Sequence, residues 1–276
     1  MALPLEKYLR VGKLPHIWCP GCGHGIITQA IIRAIDELGL DTQKTVVVSG
    51  IGCSSRAPGY MNFDTLHTTH GRAIAFATGI KMANPELKVI VITGDGDAAA
   101  IGGNHLIHAA RRNIGLTVIC FNNNIYGMTS GQYSPLTPTG SYASTAPYGM
   151  VERPFDLCEL VKGAGGTFVA RSTAYHARHL TNVIKDALKY DGFAFVDALS
   201  QCPTYFGRRN RLRTPMDMLN WMRDHAVSAS SWEKMSPEER EGKFPIGVLV
   251  NQPSRELTKV YGEILAQARK EAGANA

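Results

Sequence analysis

Two short runs hold the residue types for cation and phosphate chemistry. Gly94-Asp95-Gly96-Asp97 follows the apolar stretch Val89 to Thr93, and Asn122-Asn123-Asn124 follows Leu116 to Phe121. One carboxylate, one side-chain amide and a nearby backbone carbonyl are hard oxygen ligands. They suit Mg²⁺ that is also held by a diphosphate. The glycines let backbone approach such a ligand closely. The plainer alternative is a Gly-Asp turn of any doubly wound domain, with asparagines capping the next turn.

The cysteines are the second chemical set. Cys19 and Cys22 lie in WCPGCGHG, Cys53 in SGIGCSS and Cys202 in QCPT, all in turns at the ends of elements. Four thiolates can hold Zn²⁺ or an iron–sulfur cluster, and spacing alone does not choose between them. A CPGC turn ahead of a helix also suits a dithiol redox pair. The surrounding pattern is not that of a thioredoxin-like module, which favours metal ligation. Cys120 inside a strand and Cys158 inside a helix read as small core hydrophobes.

These motifs need a sheet to bring them together. Val89–Thr93, Leu116–Phe121 and Ala194–Leu199 are short, apolar and rich in β-branched residues, as buried parallel strands are. Thr45–Ser49 and Thr167–Ala170 complete the expected set. Helices are expected at Ile26–Leu38, before Met82, at Ile101–Arg112, Phe155–Lys162 and Ala174–Tyr190. The alternation predicts an α/β fold, a doubly wound, mostly parallel sheet with helices on both faces. Ligands of such sheets bind at the carboxyl ends of the strands. Residues 1–210 are expected to form the binding domain, and 211–276 a C-terminal extension packed on it or on a partner. In that extension Ser254–Lys270 reads as an amphipathic helix with Leu257, Val260, Ile264, Leu265 and Ala268 on one face.

Composition bounds the rest. The chain has 276 residues, 44% hydrophobic and 19% charged, ordinary for a globular protein. The start lacks a secretory h-region and no apolar run is long enough to span a bilayer, so a cytoplasmic protein without membrane attachment is expected. The net charge of +6 favours an acidic partner, and no nucleic-acid motif is present. Gly207 to Arg213 is a basic run soon after Cys202, either a solvated or subunit-contact stretch or a patch that steers an acidic electron carrier. Residues 133–153 read as a long functional loop.

The ordered set WCPGCGHG, SGIGCSS, HGRA, GDGD, NNNIYGMTSGQ and QCPT resembles the β subunit of 2-oxoacid:ferredoxin oxidoreductases, over roughly residues 15–210. The resemblance implies a thiamine diphosphate-binding fold. It implies that Asp95, Asn123 and the carbonyl of Ile125 ligate Mg²⁺, and that Cys19, Cys22, Cys53 and Cys202 hold one [4Fe–4S] cluster. Gly94, Gly96, Asp97, Tyr126, Gly127, Thr129 and Gln132 are implied cofactor contacts, and His24, His70 and Arg72 line the site. His67 and Arg56 are weaker candidates, Arg56 or Arg72 for a distal substrate carboxylate.

The implied activity is coenzyme A-dependent oxidative decarboxylation of a 2-oxoacid with electrons passing to ferredoxin, or its carboxylating reverse. Length and motif set look most like the 2-oxoglutarate branch; pyruvate or broad 2-oxoacid use is the runner-up. A non-redox thiamine lyase with structural zinc is the rival of another class. Nothing in the chain resembles a pyrimidine-binding domain, so an α subunit is expected to supply it with the activating glutamate, in an αβ heterodimer or a dimer of heterodimers.

Overall fold

A computed structural model describes residues 4–274. The strands of its main sheet are β1 (Thr45–Ser49), β2 (Asp64–His67), β3 (Lys88–Gly94), β4 (Leu116–Asn122), β5 (Phe168–Thr173), β6 (Ala194–Leu199), β7 (Ala226–Ser228) and β8 (Phe244–Asn251). They form one eight-stranded sheet in the order β2-β1-β3-β4-β6-β5-β8-β7. The first six are mutually parallel, β8 runs antiparallel to β5, and β7 runs parallel to β8. The longer helices are α1 (His24–Glu37), α2 (Ala73–Ala83), α3 (Gly103–Arg112), α4 (Leu157–Gly163), α5 (Ala177–Lys189), α6 (Pro215–His225) and α7 (Leu257–Ala274).

Strand side chains alternate between two separate cores. Ile90 and Ile92 of β3 pack with Ile119, Phe121, Val196 and the apolar faces of α1 and α5. Val89 and Val91 point the other way, to Val118, Phe195 and helices α2, α3 and α4. A strand buried on both faces is apolar over most of its length, as Val89–Ile92 of β3 and Val118–Phe121 of β4 are. The expected doubly wound, mostly parallel architecture is therefore present.

Three stretches differ from the sequence reading. β2 was not foreseen; it is an edge strand, half exposed, so its pattern carries little apolar signal. The segment after residue 210 contributes α6, β7 and β8, so the sheet continues past the expected domain boundary. Pro245 and the positive-φ Gly247 mask β8 as a strand in sequence. Finally, α7 leaves the apolar side chains Tyr261, Ile264 and Leu265 about half exposed. At the other end Tyr8 is fully buried, its hydroxyl donating to Asp36 at 2.9 Å.

Candidate functional site

β1 leads to β2 on one side of the sheet, and β3 leads to β4 on the other. The loops after β1 and β3 thus diverge and leave a crevice at their carboxyl ends. A cavity of about 310 Å³ fills it, lined by Ile51–Ser54 after β1, Gly94–Asp97 after β3, Asn123 and Ile125–Thr129 after β4, with His24, His70 and Phe121. Asp97 opens a single π-helical turn, Asp97–Ile101, before α3. Such turns are frequent at functional sites.

Asp95 is 2% exposed, and burial pushes its carboxyl up to about 7. Its one side-chain donor among the described residues is the Ser134 hydroxyl, at 2.5 Å from Oδ2. Asn124 stands in the left-handed region at φ 59°, a turn that sets Asn123 and Ile125 at the cavity wall. The Asn123 side-chain oxygen accepts from Ile125 N–H at 3.3 Å. Both halves of this arrangement are tied to one loop. Ser134 reaches Asp95, and Thr137 donates to the Asn124 carbonyl at 2.6 Å while accepting from Ser134 N–H at 2.9 Å. A buried carboxylate with a single hydroxyl partner beside a side-chain amide suits a hard divalent cation. The Ser54 hydroxyl, 2% exposed and on the cavity wall, has no hydrogen-bond partner among the described residues. It is available to a ligand's anionic oxygen.

The other predicted residues divide. His24 is buried at the cavity wall, edge-on to Phe121, with Nδ1 2.9 Å from Ser200 Oγ. Burial lowers its pKa to about 3, which keeps the ring neutral. Asp97 braces the wall: it accepts from Gly71 N–H at 2.6 Å and from the Thr93 hydroxyl at 2.8 Å. His70 Nδ1 lies 2.7 Å from the same carboxylate, but off the direction a hydrogen bond requires, so we count it as a contact only. The Tyr126 hydroxyl donates to the Gly96 carbonyl at 3.1 Å, closing the turn over the cavity.

Arg72 does not line the cavity: its guanidinium donates to the Ile101 carbonyl at 2.9 Å. Gln132 also stays off the wall, exchanging two 2.6 Å hydrogen bonds with Thr129. Arg56 is exposed, and His67 pairs with Ser49 at 3.0 Å. Neither lines the cavity.

The four predicted cysteines converge. Cys19, Cys22, Cys53 and Cys202 line one small cavity with Trp18, Gly127 and Pro203. Cys19 is its exposed edge and Cys202 its buried one. Burial first, and the neighbouring thiols after it, push Cys22 up to about 12 and Cys53 up to about 11. All four residues border the same small space. Among the described residues no three His, Cys, Asp or Glu side chains converge on a single-ion geometry. Cys120 and Cys158 are buried elsewhere, in the core under α4.

The thiol space and the larger cavity share Cys53, Asn123, Gly127 and Met128 as their common wall. Gly127 keeps that wall thin: a Cβ there would lie 3.4 Å from Cys53 Sγ and 3.7 Å from Cys202 Sγ. On the far side of Asn123 a separate cavity of about 480 Å³ is lined by Arg209, Arg211, Tyr142 and Trp221. Part of the basic run therefore borders that cavity while staying exposed.

Sequence reasoning missed Ser54, Ser134 and Thr137. SGIGCSS placed Ser54 beside a candidate ligand. Ser134 and Thr137 had only their hydroxyls, inside a loop of many, to mark them.

Comparison with known proteins agrees with this geometry. Residues 50–198 match the thiamine pyrophosphate enzyme, C-terminal TPP-binding domain family. The chain is 57% identical over 268 residues to 2-oxoglutarate synthase subunit KorB of Methanothermobacter marburgensis, covering 97% of this chain and 94% of that one. It is 50% identical over 268 residues to the subunit of that name from Methanocaldococcus jannaschii, covering 97% and 99%. Among solved structures, a 2-oxoglutarate:ferredoxin oxidoreductase from Magnetococcus marinus, with 2-oxoglutarate, coenzyme A and succinyl-CoA bound, superposes with TM-score 0.84 at 36% identity, covering 98% of this chain and 90% of that one. Sequence, fold and the crevice between β1 and β3 thus agree, and the chain belongs to the β subunits of 2-oxoacid:ferredoxin oxidoreductases, in the 2-oxoglutarate synthase group.

Proposed function

We propose that this chain works with an α subunit to convert 2-oxoglutarate, coenzyme A and two oxidised ferredoxins into succinyl-CoA, CO₂, two reduced ferredoxins and a proton, or the reverse. One observation carries the reading. A cavity walled by Asp95, Asn123 and Ile125 shares a glycine-thin partition with a space ringed by four thiols.

Thiamine diphosphate and Mg²⁺, when bound, supply the carbanion chemistry and the clamp on the diphosphate. Asp95, the Asn123 side chain and the Ile125 carbonyl would hold the cation, with Ser134 fixing the Asp95 carboxylate. The Ser54 hydroxyl, unpartnered among the described residues, and the Gly94–Gly96 stretch of the wall would meet the phosphate side. His24 offers an uncharged ring at the wall, oriented by Ser200. Cys19, Cys22, Cys53 and Cys202 would hold a [4Fe–4S] cluster. Cys19, the exposed corner, is the side open to ferredoxin. The α subunit would supply the activating glutamate and much of the substrate site.

The test is the complex purified without oxygen after co-expression with its α subunit. About four iron and four sulfide per β chain, with ferredoxin reduction that requires both 2-oxoglutarate and coenzyme A, is the expected result. Zinc without sulfide would overturn the redox reading. Pyruvate turned over faster than 2-oxoglutarate would overturn the substrate assignment.

A further inference from the structure

Beneath the Asn122–Asn124 turn lies a buried polar chain that the reaction chemistry above leaves unused. Arg171 of β5 is 5% exposed and Asp197 of β6 is 1% exposed, and the two are register partners on adjacent strands. The guanidinium donates through Nε to Asp197 Oδ2 at 2.8 Å and through Nη2 to Asp156 Oδ1 at 2.6 Å. Asp197 is therefore held from both sides: its other oxygen accepts from the Asn122 side-chain Nδ2 at 3.0 Å. The Asn122 side-chain oxygen in turn accepts from Asn124 N–H at 3.2 Å.

An asparagine amide has one donor end and one acceptor end, and nothing intrinsic decides which way it faces. Asp197 decides it here. A carboxylate accepts only, so it takes the NH₂ end of Asn122 and turns the oxygen toward Asn124 N–H. That contact holds Asn124 in its left-handed conformation, at φ 59°. The turn so fixed is what puts the Asn123 side chain and Ile125 at the cavity wall.

Arg171 has a matching purpose. Burial pushes the Asp197 carboxyl up, and Arg171 and Asn122 oppose that push. A buried ion pair is a poor way to gain stability, since desolvation offsets most of the attraction. Its position, one hydrogen bond below a ligand-presenting turn, gives it another use.

We propose that Arg171 and Asp197 are positioning residues for the divalent metal, acting through the Asn122 amide on the turn that presents Asn123 and the Ile125 carbonyl. The inference rests on the reading of Asp95, Asn123 and Ile125 as the metal site. Outer contacts of this kind orient the ligands without touching the ion.

The experiment uses the αβ complex with thiamine diphosphate and titrates Mn²⁺ by its free-ion paramagnetic resonance signal, before any substrate is added. Asp197→Asn removes the fixed acceptor, and Asn122→Ala removes the relay at the strand end, where damage to the fold is smallest. Both are expected to weaken Mn²⁺ binding by about 10- to 100-fold, whereas Asp156→Asn, on the other arm of the same guanidinium, should stay within about twofold. Asp156 serves as the control because it braces Arg171 but makes no contact with Asn122, which it reaches only through Arg171 and Asp197. Equal weakening in Asp156→Asn and Asp197→Asn would mean that the cluster only holds the fold, and would overturn the proposal. Unchanged Mn²⁺ affinity in Asn122→Ala would overturn it too. A wild-type complex that takes up no Mn²⁺ with thiamine diphosphate would instead remove the metal reading, and the inference with it.

Discussion

Asp95 and His24 sit in one cavity and carry opposite titration shifts. Asp95 moves from 3.8 unfolded to about 7 folded, so between those values the folded chain holds a proton that the unfolded chain has lost. The stability this brings is full below the unfolded value and is lost as pH rises through the folded one. His24 moves from 6.5 to about 3, so over nearly the same interval the folded chain lacks a proton that the unfolded chain binds, and stability rises with pH. The two slopes oppose each other. In magnesium-free buffer, Asp95→Asn is expected to leave the His24 slope uncovered. Urea midpoints of that variant should climb between about pH 4 and 6.5, where the wild type stays nearly flat. Parallel curves would refute the shifts. Mg²⁺ reverses the Asp95 effect: with thiamine diphosphate present, cation uptake by wild type below pH 7 should release about one proton per chain, and uptake by the variant none.

At the scale of elements, the legible parts were those whose signal is contiguous. GDGD after β3, NNN after β4 and the cysteine turns are short runs at the ends of elements, and the largely apolar, β-branched β3 and β4 announce themselves. The loop that joins the GDGD and NNN runs did not, because its two anchoring hydroxyls look like any loop serine and threonine. Thr137 accepts from Ser134 N–H and donates to the Asn124 carbonyl. Thr137→Val keeps the shape and removes both bonds. Leaving buried backbone groups unpaired, it should destabilise the chain by about 1–3 kcal/mol in urea unfolding and raise the thiamine diphosphate requirement. A variant as stable as wild type would show that water replaces the hydroxyl. The link from Asn122 to Asp197 and Arg171 was silent for another reason: the three meet only once β4, β6 and β5 are side by side.

At the scale of the whole molecule, α7 breaks the pattern of helices laid on the sheet. Only its first turn is anchored, Glu256 accepting from Gly115 N–H at 2.8 Å and Thr258 buried beside it. The face carrying Tyr261, Ile264 and Leu265 is open. The 3.6-residue periodicity foretold an apolar face, but periodicity does not say whether the chain itself covers it. Removal of residues 261–276 is expected to change the unfolding free energy of the β chain by no more than about 0.5 kcal/mol, as for surface changes. A larger loss would place α7 within the cooperative unit.

The four thiols also impose an order in time. Cys19 and Cys22 precede Cys202 by most of the chain. At ordinary rates of synthesis, roughly 5–20 residues per second, the last thiol leaves the ribosome roughly 10–40 s after the first pair. Cys202 then reaches the others only when β6 has inserted between β4 and β5. Until that moment the CPGC pair is an open dithiol, exposed to oxidation into a disulfide. Insertion of the central strand is therefore also the moment at which all four thiols come together, and oxygen has its easiest access to the CPGC pair while the chain is still being made.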